Sequence, residues 1–130
     1  MRRAVRFGDA YAPYSVSPSQ VAKRRIRLAA LASAAGRSPD GVGLACLVTL
    51  IPAHSTAAAI QRGIAALALS GLSPDTLRAH YLLGADDALL ERVAEYRNVG
   101  VDHLILGCIP GTDAELDEFF AKATLIRSQQ

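Results

Sequence analysis

Three short groups of residues in this chain carry groups that can bind or orient a ligand. Tyr11 and Tyr14 offer two phenol hydroxyls, which can orient a substrate. His54 can donate a proton near neutral pH, because an unperturbed histidine titrates there. Gly107 opens the segment Gly107–Gly111, whose backbone can approach a phosphate closely at the start of a helix. The structural alternatives are two packed tyrosines, a histidine that caps a helix, and a tight turn.

Each group lies at or just after the end of a predicted strand. Asp9–Tyr14 is a short segment that contains a proline, Val42–Ile51 is an almost unbroken apolar run, and Val101–Leu106 follows a glycine. A continuous apolar run is typical of a parallel strand that is covered on both faces. In a β/α barrel the functional groups lie at the carboxyl ends of the strands, so we expect the three groups at that edge.

Helices alternate with these strands, and turn residues mark their ends. Ser17 with Gln20, and Thr112 with Glu115, have the spacing of a capping box. The predicted helices are Arg2–Phe7, Ser17–Gly36, Ala57–Leu69, Ser73–Leu82, Asp86–Gly100 and a last one that starts at Thr112. Strands that alternate with helices indicate a parallel sheet with right-handed crossovers.

Apolar residues at helical spacing predict which faces of the helices pack inward. For the helix that starts at Ser17, the predicted inner face is Ala22, Ile26, Ala29, Ala30 and Ser33. For the last helix, it is Leu116, Phe119, Phe120 and Ala123. A basic cluster without interleaved aromatic residues is typical of a solvated face rather than a nucleic-acid site. That cluster is Lys23, Arg24, Arg25 and Arg27.

Composition argues against several other classes of protein. A net charge of +2 is too small to indicate nucleic acid as a partner. No segment reaches the roughly 18 apolar residues of a membrane span, and no secretory signal is visible, so we expect a cytoplasmic protein. Cys46 and Cys108 lack the spacing of metal ligands, which predicts two reduced, buried thiols and no metal site.

Three segments, taken in order, resemble one enzyme family. Arg3–Tyr11 is an arginine-rich helix end followed by Gly-Asp-Ala-Tyr, Ser17–Gly41 ends in an Ala-Gly-Arg-Ser-Pro-Asp turn, and Leu83–Leu106 contains Val-Gly-Val-Asp-His. These segments resemble the Gly-Asp-Gly-aromatic, Ala-Gly-Arg-x-Pro and Ala-Gly-Val-Asp-His motifs of luciferase-like monooxygenases. Three positions depart from the family pattern, namely Ala10 for Gly, Tyr11 for Trp, and Ala85 for a helix-capping Thr or Ser.

The resemblance implies a (β/α)8 TIM barrel, an oxidoreductase that uses flavin mononucleotide (FMN) or the deazaflavin coenzyme F420 on a small organic substrate. It implies Tyr11 and Gly107 as cofactor-binding residues, and Tyr14 and His54 as substrate-binding residues. The predicted strands correspond to the sixth, seventh and eighth of the barrel. The earlier strands of the family carry most flavin contacts and the principal catalytic groups, so no residue is assigned a catalytic role.

A complete barrel takes about 250 residues, roughly twice the length of this chain. We therefore expect residues 1–130 to form one partial α/β domain, about the last three β/α units, with parallel strands and outer helices. Such a part is expected to be inactive alone. The alternative is a non-catalytic half-barrel that dimerises or complements a separate N-terminal half, because a three-stranded sheet leaves unpaired edges.

Overall fold

The computed structural model describes residues 1–67, 71–109 and 111–129, in which helices alternate with strands. The helices are α1 (Arg2–Phe7), α2 (Pro18–Ala34), α3 (Thr56–Ala66), α4 (Pro74–His80), α5 (Asp86–Asn98) and α6 (Asp113–Ser128). The strands are β1 (Ala10–Tyr11), β2 (Gly43–Pro52), β3 (Leu82–Gly84) and β4 (His103–Gly107). The predicted end of α3 at Leu69 lies outside the described residues.

β2 is the strand with which the other three pair. β1 runs parallel to its first residues, with Ala10 opposite Gly43, and β3 runs parallel to its last residues, with Leu50 opposite Leu82. β4 also pairs with β2. Eight of the ten residues of β2 are buried, which explains why its sequence is apolar without alternation. The predicted α/β fold with parallel strands is confirmed.

The chain divides into two compact units. The first comprises Met1–Leu47 and Glu95–Ile105, and the second comprises Val48–Ala94 and the residues from Leu106 onward. No helix among the described residues is long and apolar enough to cross a membrane.

In the first unit, the inner face of α2 differs from the prediction. Val21, Leu28 and Ala32 are buried, whereas Ile26 is 73% exposed. The capping box at Ser17 is present as predicted, so the helix begins in the right place but presents another face. The apolar residues of α2 are mostly alanines, which lie on several faces and give little indication of which one is covered.

In the second unit, α3, α4 and β3 share one apolar cluster. Its buried members are Ile51, Ala59, Ile60, Leu77, Tyr81 and Leu83. Gly63 lets α3 approach closely, because a Cβ there would lie 2.9 Å from Ile51 Cδ1 and 3.2 Å from Leu77 Cδ1. This packing fixes the helices that follow the carboxyl end of β2.

Two predictions for the second unit are wrong. Leu82 was predicted to end a helix, but it begins strand β3, because three residues are too few to show a strand pattern without their partner β2. In α6, Phe119 and Ile126 are buried, whereas Leu116 is 42% and Phe120 is 57% exposed. The buried pair lies seven residues apart on one narrow stripe, and only that stripe is fully covered.

Candidate functional site

In the first unit, the two predicted tyrosines have different surroundings. Tyr11 is half-buried, and its hydroxyl accepts a hydrogen bond of 2.8 Å from Arg24 Nη1 of α2. Tyr14 lies beyond β1 and forms a parallel bridge to Leu47, and it is 62% exposed. Among the described residues no hydrogen bond reaches the Tyr14 hydroxyl. Its phenol is therefore available to a ligand, whereas that of Tyr11 is already bonded.

Arg37 explains the Ala-Gly-Arg-x-Pro turn. Its Nη1 donates to the carbonyl oxygens of Val5 and Gly8, each at 2.8 Å, and its Nη2 donates to the carbonyl of Gly41 at 2.6 Å. Three backbone acceptors on one guanidinium join the end of α1 to the turn that precedes β2. The arginine of this turn therefore has a structural role.

Asp102 plays a similar part at the start of β4. Its carboxylate accepts from the backbone N–H of Leu44 at 2.7 Å, and its own N–H donates to the Leu44 carbonyl at 2.9 Å. Arg25 Nη1 lies 3.6 Å from the same carboxylate. Asp102 thus connects the start of β4 to the amino end of β2, and its role is structural.

In the second unit, His54 follows the carboxyl end of β2 and is exposed. The cap of α3 is the next residue, Ser55, whose Oγ accepts from Ala58 N at 3.1 Å. No hydrogen bond to the His54 side chain occurs within the described ranges. His54 is thus placed where the sequence predicts it, at a strand end, and its ring is not used as a helix cap.

Gly107 ends β4 and is half-buried, with the exposed Cys108 directly after it. The following helix α6 begins at a capping box in which Thr112 N donates to Glu115 Oε2 at 2.8 Å. The Thr112 backbone N–H, and then the nearby Arg62, hold the pKa of Glu115 below its usual range. A carboxylate thus already occupies the N-terminus of α6.

Arg62 is a residue that the sequence analysis did not assign to the site. Its Nη1 donates to the carbonyl of Pro52 at 2.8 Å, and its guanidinium pairs with Glu115 and Glu118, each at 3.1 Å. A cavity of about 10 Å³ lies beside it, lined also by Cys108, and has room for about one water molecule. Arg62 therefore ties the carboxyl end of β2 to α6. The only signal in the sequence was that it is the one charged residue of the predicted helix.

The two cysteines differ from each other, and one differs from its prediction. Both are free, but only Cys46 is buried, whereas Cys108 is exposed because it follows the partly covered end of β4. Burial raises the pKa of the Cys46 thiol, and a hydrogen bond from the Val16 backbone and the charge of Arg24 oppose this rise. No group of three metal-ligating side chains occurs in the part of the chain that the structure describes.

No protein-family model matches the sequence, and no curated protein matches it either. The structure is similar to an F420-dependent secondary alcohol dehydrogenase, solved with an F420–acetone adduct, with a TM-score of 0.77 and 17% identity over 97% of this chain. The F420-dependent tetrahydromethanopterin reductase of Methanopyrus kandleri gives a TM-score of 0.72 at 16% identity over 99%. The EDTA monooxygenase of Chelativorans sp. BNC1 gives 0.68 at 15% identity over 98%.

The chain spans less than half the length of these proteins, namely 45%, 48% and 44% in the same order. All three are luciferase-like monooxygenase family members, and their fold is a TIM barrel. The identities are low, so the similarity concerns the fold. This chain has the fold of a partial luciferase-like TIM barrel.

Proposed function

We propose that this chain is the C-terminal part of a luciferase-like oxidoreductase that uses FMN or the deazaflavin coenzyme F420. The observation that carries the proposal is structural similarity over nearly the whole chain to enzymes described as F420-dependent. A related fold, solved as riboflavin lyase with modified FMN, supports the flavin alternative at a TM-score of 0.70. Cytoplasmic location and action on a small organic substrate belong to the same proposal.

Four residues at the strand ends are assigned to ligand binding in this proposal. We assign substrate binding to Tyr14 and His54, whose polar groups have no partner in the described part of the chain. We assign cofactor binding to Gly107, which lacks a side chain and lets the backbone approach closely, and to the ring of Tyr11, because its hydroxyl is bonded to Arg24. The cofactor itself supplies hydride transfer or oxygen activation, and the protein binds and orients it.

We propose further that the chain is inactive alone. Its length covers 45% of the dehydrogenase that it resembles, so most of a cofactor site is expected to come from other strands. Apolar side chains that remain exposed in the second unit, at Leu116 and Phe120, are consistent with a further polypeptide beside them. A separate N-terminal half or a second copy of the chain is the proposed partner.

Titration of the chain with FMN and with coenzyme F420, followed by fluorescence, tests the cofactor part of this proposal. We expect saturable binding with a Kd above about 1 μM, because only part of the site is present. Gly107→Leu is expected to weaken cofactor binding at least fivefold, because the added side chain would prevent the cofactor from approaching the backbone. Ala66→Leu, at the exposed end of α3, adds similar bulk away from the strand ends and serves as the control.

Two results would contradict the proposal. A Kd of about 1 μM or below would show that the chain holds a complete cofactor site. An absence of saturable binding by either cofactor at millimolar concentration would show that these strand ends contact neither. Light scattering on the same samples measures the molar mass and therefore the oligomeric state. A monomer at all concentrations would exclude a homodimer.

A further inference from the structure

The positive charge of this chain is concentrated in its first forty residues. They contain eight Lys and Arg against two Asp, a formal charge of +6. The remaining ninety residues contain six basic against ten acidic side chains, a formal charge of −4. The net charge of +2 is therefore the sum of a basic first part and an acidic remainder. This uneven distribution of charge indicates an anionic partner for the first part of the chain.

Four of these cations line one cleft in the first unit. Arg2 at the start of α1 and Lys23, Arg24 and Arg27 of α2 surround a volume of about 520 Å³, together with Met1, Tyr11 and Leu31. This volume falls in the range of small-molecule pockets. None of the described residues that line the cleft is acidic. Three of the four residues of the basic cluster, which was expected to be a solvated face, thus line a concave surface.

No described acidic side chain neutralises the four cations. Among the described residues none of them forms an ion pair, and the one hydrogen bond of their side chains joins Arg24 to the Tyr11 hydroxyl. Arg25, their neighbour in sequence, differs because it pairs with Asp40 and Asp102. Four like charges around one cleft repel each other, so a bound anion is favoured there.

We propose that this cleft binds a small organic molecule with two linked phosphate groups, of the nucleoside diphosphate class. Such a group carries about three negative charges, which match four cations. Arginine, with its planar set of donors, suits phosphate oxygens. The Tyr11 ring and the Leu31 side chain provide an aromatic and an aliphatic wall for a base. The site lies where Tyr11 meets α2; it shares the Tyr11 ring with the proposed cofactor site, whereas its four cations take no part in that proposal.

Isothermal titration calorimetry with ADP, AMP and adenosine tests the proposal on the full chain. ADP is expected to bind at least fivefold more tightly than AMP, and adenosine is expected not to bind measurably. The double variant Lys23→Glu/Arg27→Glu is expected to weaken ADP binding at least tenfold. Both residues are exposed, so the fold tolerates the change, which circular dichroism verifies. Lys23→Gln/Arg27→Gln is expected to give a smaller loss.

A matched control has the same change of net charge beside the cleft. Arg3→Glu/Arg6→Glu alters two exposed arginines of α1 that do not line it, and ADP affinity is expected to stay within twofold of the wild type. Equal losses in both double variants would overturn the proposal in favour of a general charge effect.

Three other results would overturn it as well. One is equal affinity for ADP and AMP, and another is the absence of ADP binding. The third is tighter binding of a short single-stranded oligonucleotide with the same sensitivity to the variants, which would make the cleft a nucleic-acid surface. Tyr11 is common to both proposals, so Lys23→Glu/Arg27→Glu distinguishes them, because it is expected to weaken ADP binding and to leave the Kd for FMN within about twofold. Each of the two proposals can therefore fail without the other.

Discussion

Removal of one buried hydroxyl tests the packing of the first unit. Tyr96 of α5 is 1% exposed, and its Oη donates a hydrogen bond of 2.8 Å to the carbonyl oxygen of Val16. Val16 is itself 4% exposed, so water does not readily replace the lost donor. The bond joins residues 80 positions apart in the sequence. Tyr96→Phe removes the donor and retains the ring.

The expected loss follows from the burial of both groups. A hydrogen bond contributes about 1 kcal/mol net, and a buried carbonyl left without a donor costs about 1–3 kcal/mol. We therefore expect Tyr96→Phe to lower the free energy of unfolding by about 1–3 kcal/mol. With an m-value of about 2 kcal/mol/M in urea, the midpoint falls by about 0.5–1.5 M.

Urea unfolding followed by circular dichroism measures this midpoint. Tyr14→Phe is the matched control, because Tyr14 is 62% exposed and its hydroxyl has no hydrogen bond within the described residues. Its midpoint is expected to change by less than about 0.25 M, as for most exposed substitutions. Equal shifts in the two variants would refute the reasoning, because the effect would then not depend on burial.

Four further changes have defined outcomes. Gly84→Ala is expected to destabilise the chain by about 2 kcal/mol or more in urea unfolding, because φ is +102° and a Cβ would lie 2.8 Å from a backbone nitrogen of α3; a neutral effect would contradict this. Ala85→Ser is expected to add about 1 kcal/mol by capping α5; an unchanged urea midpoint would contradict this. A thiol reagent is expected to label Cys108 rapidly and Cys46 only after unfolding; mass spectrometry of the modified peptides distinguishes them. The depressed pKa of Glu115 stabilises the fold above the unfolded pKa of about 4.3, and this contribution is lost as the pH falls through the folded pKa; Glu115→Gln should therefore lose less stability between pH 5 and 3 than the wild type.

Local sequence determined where two of the helices begin. The capping boxes at Ser17 and Thr112 formed where their spacing predicted them, because each involves residues within one turn. The apolar run of β2 likewise indicated a buried parallel strand, since burial on both faces leaves no place for polar side chains. The resemblance to luciferase-like monooxygenases gave a fold that structural comparison confirmed.

The positions of the candidate residues at the strand ends were predicted in part. Tyr14 and His54 lie beyond β1 and β2, as their places in the sequence indicate. Arg62 was missed, because its partners are the carbonyl of Pro52 and two carboxylates more than fifty positions away. No local pattern in the sequence predicts such a contact.

The tertiary structure alone decided which side of each helix is covered. Apolar spacing predicts that Ile26 of α2 is buried, but it is exposed. The same spacing gives no prediction for Tyr96 of α5, which is buried. It also brought Arg2 into one cleft with residues more than twenty positions away in the sequence. Capping and strand burial depend on neighbours along the chain, which the sequence displays directly. Packing faces and clefts depend on partners that only the folded chain brings together, so their position is a property of the whole fold.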